Sequence, residues 1–168
     1  MIIRTLIYFF IFLFFFYCKF LNAEENNLLS IEITANKMEW DDINEVAYAI
    51  GDATATQGQR ILKADKLVAK IREMGENNEQ SEIYSIDATG NVVFLREGEK
   101  AFGNKGRYNI VDEIIILEGK VSLRRGEDII YGDKLEINLK TGKSRVLANQ
   151  NKEKVKMKFT PASKEGKK

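Results

Sequence analysis

The sequence predicts an all-β domain of antiparallel strands, and three observations carry that prediction. Apolar and polar residues alternate one by one in EITANKMEWD, KLVAKI, KLEINL and KVKMKF, which is the period of half-buried strands. Turn-forming residues recur at Asp41-Asp42, Gly51-Asp52, Gln57-Gly58, Gly90-Asn91, Glu97-Gly98, Gly126-Glu127 and Thr141-Gly142. One phrase, a small residue followed by Asn or Asp and then Lys, is written four times. No window offers a convincing helical face.

The phrase stands at Ala35-Asn36-Lys37, Ala64-Asp65-Lys66, Gly103-Asn104-Lys105 and Gly132-Asp133-Lys134, and its Asn or Asp positions are separated by 29, 39 and 29 residues. Gly51, Gly90 and Gly119 follow their Asn or Asp by 15, 25 and 15, and Ala148 follows Asp133 by 15. Two markers in step define four short repeats, with ten residues inserted in the unit that begins at Asp65. Strands of roughly five to eight residues, turning every eight to fifteen, predict a layered or solenoid-like sheet.

Taken in order, the chain opens with a leader at residues 1–23. Arg4 supplies positive charge, Leu6 to Tyr17 is a continuous apolar run of twelve, and Ala23 precedes the acidic pair Glu24-Glu25. Twelve is short for a membrane span and ordinary for a signal peptide, so export is expected, with an uncleaved anchor as the alternative. Cys18 sits between Tyr17 and Lys19, which are bulky or charged where a lipidation motif needs small residues. Residues 24–159 then form one domain, large enough for a sizeable core. The remaining residues, 160–168, form a basic tail expected to be disordered.

Composition excludes several functions. Lys and Arg number 26 against 25 Asp and Glu, so the near-zero net charge gives no sign of a nucleic-acid partner. Histidine is absent and Cys18 is the only cysteine, which removes Ser-His-Asp and Cys-His nucleophiles and the usual zinc ligands. No cofactor and no metal are expected. The carboxylate neighbours Asp41-Asp42 and Asp112-Glu113 raise a carbohydrate-acting enzyme, but neighbours on a strand point to opposite faces. The protein is therefore expected to be non-enzymatic.

Comparing equivalent positions across the repeats assigns the faces. Met38, Leu67, Gly106 and Leu135, with Trp40, Ala69, Tyr108 and Ile137, fall in apolar columns, and Glu39, Val68, Arg107 and Glu136 fall between them. Ala49, Ala88 and Leu117, with Ala47, Ile86 and Ile115, precede the glycines on the apolar face. Ala53, Val92 and Val121, then Ala55, Phe94 and Leu123, follow them. Such a face is either a closed core or an open trough that receives an apolar ligand, and periodicity does not separate the two. The phrase lysines 37, 66, 105 and 134 are likewise either solvated strand-edge charges or a basic stripe that meets phosphates.

In their order along the chain, IEITANK from Ile31, GDATATQG from Gly51, LKADKL from Leu62, IDATGNV from Ile86 and IIYGDKL from Ile129 resemble the OstA-like domain family of periplasmic lipopolysaccharide-transport proteins. The resemblance spans about Leu29 to Phe159. It implies an open, twisted β-jellyroll of antiparallel strands whose apolar interior groove holds acyl chains of lipopolysaccharide. By position, Ile31, Ile33, Phe94, Leu95, Tyr108 and Ile110 match segments that line the family's groove, and the apolar columns add Trp40, Leu67, Ile115, Leu117, Leu123 and Ile137. Ala53 and Ala55 depart from it in being small. The resemblance further implies location in the periplasm and partners in an LptC-like inner-membrane subunit and an LptD-like outer-membrane assembly protein. Head-to-tail self-association would use the edges at Ile31 and Ile33 and at Val155, Met157 and Phe159. A membrane-anchored LptC-like subunit and a closed structural β-solenoid remain as alternatives.

Overall fold

The computed structural model describes residues 29–74, 80–149 and 154–161. The leader at 1–23 and the tail from residue 162 onward lie outside the described residues. Ten strands and no helix are described: β1 (Glu32–Thr34), β2 (Lys37–Asp41), β3 (Val46–Gln57), β4 (Arg60–Met74), β5 (Gln80–Arg96), β6 (Glu99–Asn109), β7 (Ile114–Arg125), β8 (Asp128–Asn138), β9 (Ser144–Leu147) and β10 (Lys156–Lys158). All pairs are antiparallel, in the order β1-β3-β4-β5-β6-β7-β8-β10, with β2 also on β3 and β9 also on β8. The sheet is unclosed.

The central strands are longer than the sequence predicts, and the reason is local. Gly51-Asp52 and Gly90-Asn91, expected as turns between strands, lie inside β3 and β5, and Gly119-Lys120 lies inside β7. Both residues of each pair have positive φ, 80° and 45°, 81° and 46°, 82° and 51°. Each pair stands opposite a single residue of the next strand, Asp65, Asn104 or Asp133, so the register shifts there by one. Two residues against one is a β-bulge, which bends the strand and increases its twist. The small residue and Asn/Asp of the phrase therefore form one side of a corner, and the glycine forms the other.

The corner runs across the whole sheet as a polar row. Asn36 N donates to Gly51 O at 2.9 Å. Asn91 Nδ2 donates to Asp65 Oδ2 at 2.9 Å, and Asn149 N donates to Asp133 Oδ2 at 2.9 Å. A Cβ on Gly119 would stand 3.0 Å from Asn104 Nδ2, so the glycine is required by close approach as well as by φ. The two sequence markers are in step because they are neighbours in this row.

Folding along the corner divides each long strand into two arms and the sheet into two facing layers. One layer holds β2, β9 and the arms 46–50, 66–70, 85–89, 105–109, 114–118 and 134–138. The other holds β1, β10 and the arms 53–57, 60–64, 92–96, 99–103, 121–125 and 128–132. Their apolar faces meet in a single core that includes Leu67, Ile86, Phe94, Ile115, Leu117, Leu135 and Ile137. Gly106, alone among the larger residues of its column, leaves room for Leu117, whose Cδ2 a Cβ there would approach to 2.8 Å.

The inserted ten residues lengthen one hairpin. Tyr108 and Asn109 pair with Ile115 and Ile114 and are closed by the turn 110–113, whereas after Lys70 pairs with Ser85 the β4–β5 hairpin continues through Ile71↔Ile83 to Met74↔Gln80. The extension projects past the neighbouring turns beside β2. Among the described residues, no buried side-chain nitrogen or oxygen lacks a partner.

Candidate functional site

The apolar side of the fold is open at one end. At the edge formed by β1, β2 and β3, a cleft of about 420 Å³ is lined by Ile31, Ile33, Met38, Trp40, Ala47, Ala49, Leu67, Ala69, Ile71 and Ile83, with Glu39, Tyr48, Ser81 and Glu82 at its rim. Residue size explains the opening. β3 and β4 present alanines here, so the floor is low, and the extended hairpin supplies Ile71 and Ile83 as a wall. Trp40 points the same way as its partner Ala47, yet remains 63% exposed because the facing layer ends in the three-residue β1. Met38 is 54% exposed for the same reason. Large apolar side chains left in water beside a concavity mark a surface that gains by being covered.

Beyond this mouth the interior is filled. Phe94, Tyr108, Ile115, Leu117, Leu123 and Ile137 are all buried, packed between the layers. Leu62, Ile86, Phe94 and Tyr108 leave a space of only about 10 Å³ between them, barely enough for one water. The twelve candidate groove residues thus divide. Ile31, Ile33, Trp40 and Leu67 line the open cleft; the six named above are sealed within the core; Ile110, in the β6–β7 turn, packs against its edge. Leu95 is a correction. Strand alternation turns it to the face opposite Phe94, where it pairs with Ile61 and Lys100, so it does not share the interior.

The expected assembly edges are accessible. Among the described residues, β1 and β2 pair only with β3, and β9 and β10 pair only with β8, so there each end of the sheet offers two short strands with a free side. The sequence indicates only β1 and β10. Met157 and Phe159 are exposed, and Val155 beside them is 40% exposed.

Charges lie on the outer faces and are mostly answered there. Lys37 pairs with Glu39, Lys66 sits 4.7 Å above the Tyr48 ring, and Lys134 lies 3.2 Å from Glu118. Arg107, on the face opposite Tyr108, donates to Asp87 at 2.5 Å, and Lys70 meets the other oxygen of Asp87 at 2.9 Å. Partial burial works against the Asp87 charge, but Arg107 and Lys70 outweigh it and hold the carboxyl below its usual range. Lys105 and Lys134 share a depression of about 440 Å³ with Asp87, Arg107 and Glu118, so the lysine column is interleaved with acids. The carboxylate neighbours are held apart: Asp112 accepts from Asn109 Nδ2 at 2.5 Å, and Glu113 pairs with Arg60 at 2.7 Å.

The Tyr108 hydroxyl carries a polar group into the interior. Tyr108 Oη donates to Gln57 Oε1 at 2.5 Å and accepts from Arg60 Nη1 at 3.1 Å. Burial pushes the Tyr108 hydroxyl above the usual phenol range, against the opposing pull of Arg60. Desolvation works against the Arg60 charge, but bonding to Tyr108 and Glu113 outweighs it and raises the guanidinium further. Sequence reasoning misses Gln57 and Arg60 as site residues, because Gln57-Gly58 reads only as a turn, and it meets Glu113 only as the neighbour of Asp112.

Comparison with known proteins gives three results. The family described as "LptA/(LptD N-terminal domain) LPS transport protein" matches residues 32–143. An uncharacterised protein of Rhizobium meliloti (strain 1021) is 28% identical over 120 residues, which cover 69% of this chain and 64% of that protein. The chain therefore spans less than two thirds of that relative's length. Among solved structures, similarity extends to LptH of Pseudomonas aeruginosa, described as the LptA-homologous periplasmic component of the conserved lipopolysaccharide transport device. The TM-score is 0.68 at 16% identity, over 79% of this chain and 96% of that one. At this identity the likeness speaks for the fold alone, a jellyroll of the LptA kind.

Proposed function

Because the chain belongs to the LptA/LptD N-terminal-domain family of lipopolysaccharide-transport proteins, we propose that it is a non-enzymatic periplasmic carrier of lipopolysaccharide. In this reading its acyl chains lodge at the apolar mouth and between the two layers, and subunits join end to end through their free edges. The bridge so formed meets an LptC-like inner-membrane subunit at one end and an LptD-like outer-membrane protein at the other.

The observation that supports this reading most directly is the apolar cleft of about 420 Å³ at the sheet edge, continuous with an apolar interior. Sheltering an acyl chain contributes about 0.8 kcal/mol per buried methylene, so a dozen methylenes outweigh any single polar contact. The cargo needs an apolar trough and no chemistry. The leader at residues 1–23 is proposed to be removed after Ala23, which intact-mass measurement tests by the appearance of a chain that begins at Glu24.

Photo-crosslinkers test the carrier directly. At Ile33 or Trp40 they are expected to capture lipopolysaccharide, and at Arg107, on the outer face, they are not. Equal capture on both faces would defeat the assignment. Truncation after Asn151 removes β10 and is expected to reduce self-association in light scattering, whereas truncation after Thr160 leaves it intact.

A further inference from the structure

Opposite the corner, the two layers meet along an open side, and a polar network joins them there. Arg60, the first residue of β4, belongs to one layer; Tyr108 and Glu113, at the β6–β7 hairpin, belong to the other. Arg60 Nη2 donates to Glu113 Oε2 at 2.7 Å, and Nη1 donates to Tyr108 Oη at 3.1 Å. Tyr108 Oη donates to Gln57 Oε1 at 2.5 Å, and Gln57 Nε2 donates to Leu29 O at 3.3 Å. The links to Tyr108 and Glu113 join residues 48, 51 and 53 apart in sequence, so they tie the layers together and are not by-products of a turn.

The network sits over a tightly packed part of the interior. Beneath it, Leu62, Ile86, Phe94 and Tyr108 enclose only about 10 Å³, against about 420 Å³ at the mouth. A chain lodged at the mouth advances past this point only if the layers part. The network is also unevenly buried. Gln57 and Tyr108 are 8% and 3% exposed, whereas the side chains of Arg60 and Glu113 are 30% and 31% exposed. Its outer half can therefore exchange partners with solvent or ligand. Glu113 is free to do so without unfolding the turn, because its backbone oxygen stays bonded to Leu139 N at 2.8 Å. A guanidinium fork fits a phosphate as well as it fits a carboxylate.

We propose that Arg60, Glu113, Tyr108 and Gln57 form a lateral latch, which a phosphorylated amphiphile opens by replacing Glu113 on Arg60 while its acyl chain enters between Tyr108 and Phe94. The proposal rests on the carrier reading above and adds where the layers part and which headgroup chemistry parts them. Arg60 keeps one anionic partner throughout. The released Glu113 carboxylate turns to water, and the apolar surface uncovered as the layers separate is covered again by the chain.

The test uses purified protein and two probes with the same acyl chain, lysophosphatidic acid and monoacylglycerol, each competing with an apolar fluorophore. Wild type is expected to bind the phosphorylated probe at least tenfold more tightly. In Arg60→Gln that preference falls to about twofold or less while the neutral probe still binds, and Arg60→Lys, which keeps charge but loses the fork, lies between. Glu113→Gln is expected to speed association of both probes and to keep the preference. Circular dichroism confirms that each variant is folded. A preference unchanged in Arg60→Gln and Arg60→Lys, with the neutral probe still bound, would overturn the latch and leave the carrier reading standing. Binding of neither probe by wild type would overturn both. Inorganic phosphate that abolishes the preference without displacing the fluorophore supports an Arg60 phosphate site; no effect of phosphate at saturating concentration counts against it.

Discussion

The two long sides of this folded sheet are held by opposite means. Along the corner the contacts repeat: Asn36 with Gly51, Asp65 with Gly90 and Asn104 with Gly119, each Asn or Asp beside a positive-φ glycine of the next strand. Along the open side the layers are joined instead by single, unrepeated contacts such as Arg60 with Glu113 and Arg125 Nη2 with Ser144 Oγ at 3.0 Å. A side built from a repeated backbone conformation is rigid, because changing one unit strains its neighbours. A side built from individual side-chain bonds can open one bond at a time. If the protein admits a long apolar chain between its layers, as proposed above, the first is suited to a hinge line and the second to a door.

The largest expected effect breaks the rigid side. Gly90 has φ 81°, and a Cβ there would collide with the Asp65 carboxylate. Gly90→Val should cost about 3 kcal/mol or more, from left-handed strain together with steric displacement. Chemical denaturation measures it. A loss below about 1 kcal/mol would mean that the corner is not the rigid element.

A smaller loss is expected on the other side. Tyr108→Phe keeps the buried ring but strips the hydroxyl that serves both Gln57 and Arg60, which should cost about 1–2 kcal/mol. The pH dependence carries a sign. Burial raises the Tyr108 pKa above the ordinary value of 10.0, so the folded state holds its proton more strongly than the unfolded chain. That stability is present below pH 10.0 and is lost as pH rises through the folded value. Thermal melts of Tyr108→Phe should therefore decline less steeply above pH 10.0 than those of wild type.

How far each side was legible in the sequence follows from the same contrast. The corner was visible as two markers in step, because every unit must meet the same backbone demand. Its meaning was not, since Gly51-Asp52 reads equally as a turn or as a bulge until the partner's register is known. Alternation placed Arg107 outward and Tyr108 inward; the structure agrees on both. The same alternation, had it been extended one residue past Phe94, would have turned Leu95 to the opposite face; Leu95 entered the candidate groove through the family resemblance, which matched a segment and not a face. Met38 and Trp40 fell in apolar columns, yet they border an open cleft because β1 is too short to cover them. The seam left no trace, since partners 48 to 53 residues apart share no pattern along the chain.

The mildest prediction concerns strain within the corner, where three copies of one position carry different residues. Asp52, Asn91 and Lys120 follow the corner glycines with φ 45°, 46° and 51°. Asn and Asp tolerate this left-handed conformation because their short polar side chains can bond locally, and Asn91 is held in addition by a bond across the strand pair to Asp65. Lys120 bears the usual cost of left-handed backbone for an L-residue, about 1 kcal/mol, and is exposed, so little packing is lost when it is replaced. Lys120→Asn should stabilise the fold by about 0.5 kcal/mol, and the exchange Asn91→Lys should destabilise it by more, because the Asp65 bond goes as well. Lys120→Gly separates the causes: it relieves the strain completely but widens the unfolded ensemble, so its gain should be no larger than that of Asn. If denaturation midpoints order the Lys120 variants with lysine the most stable, positive φ is not a cost at this position, and the rigidity of the corner must come from its hydrogen bonds alone.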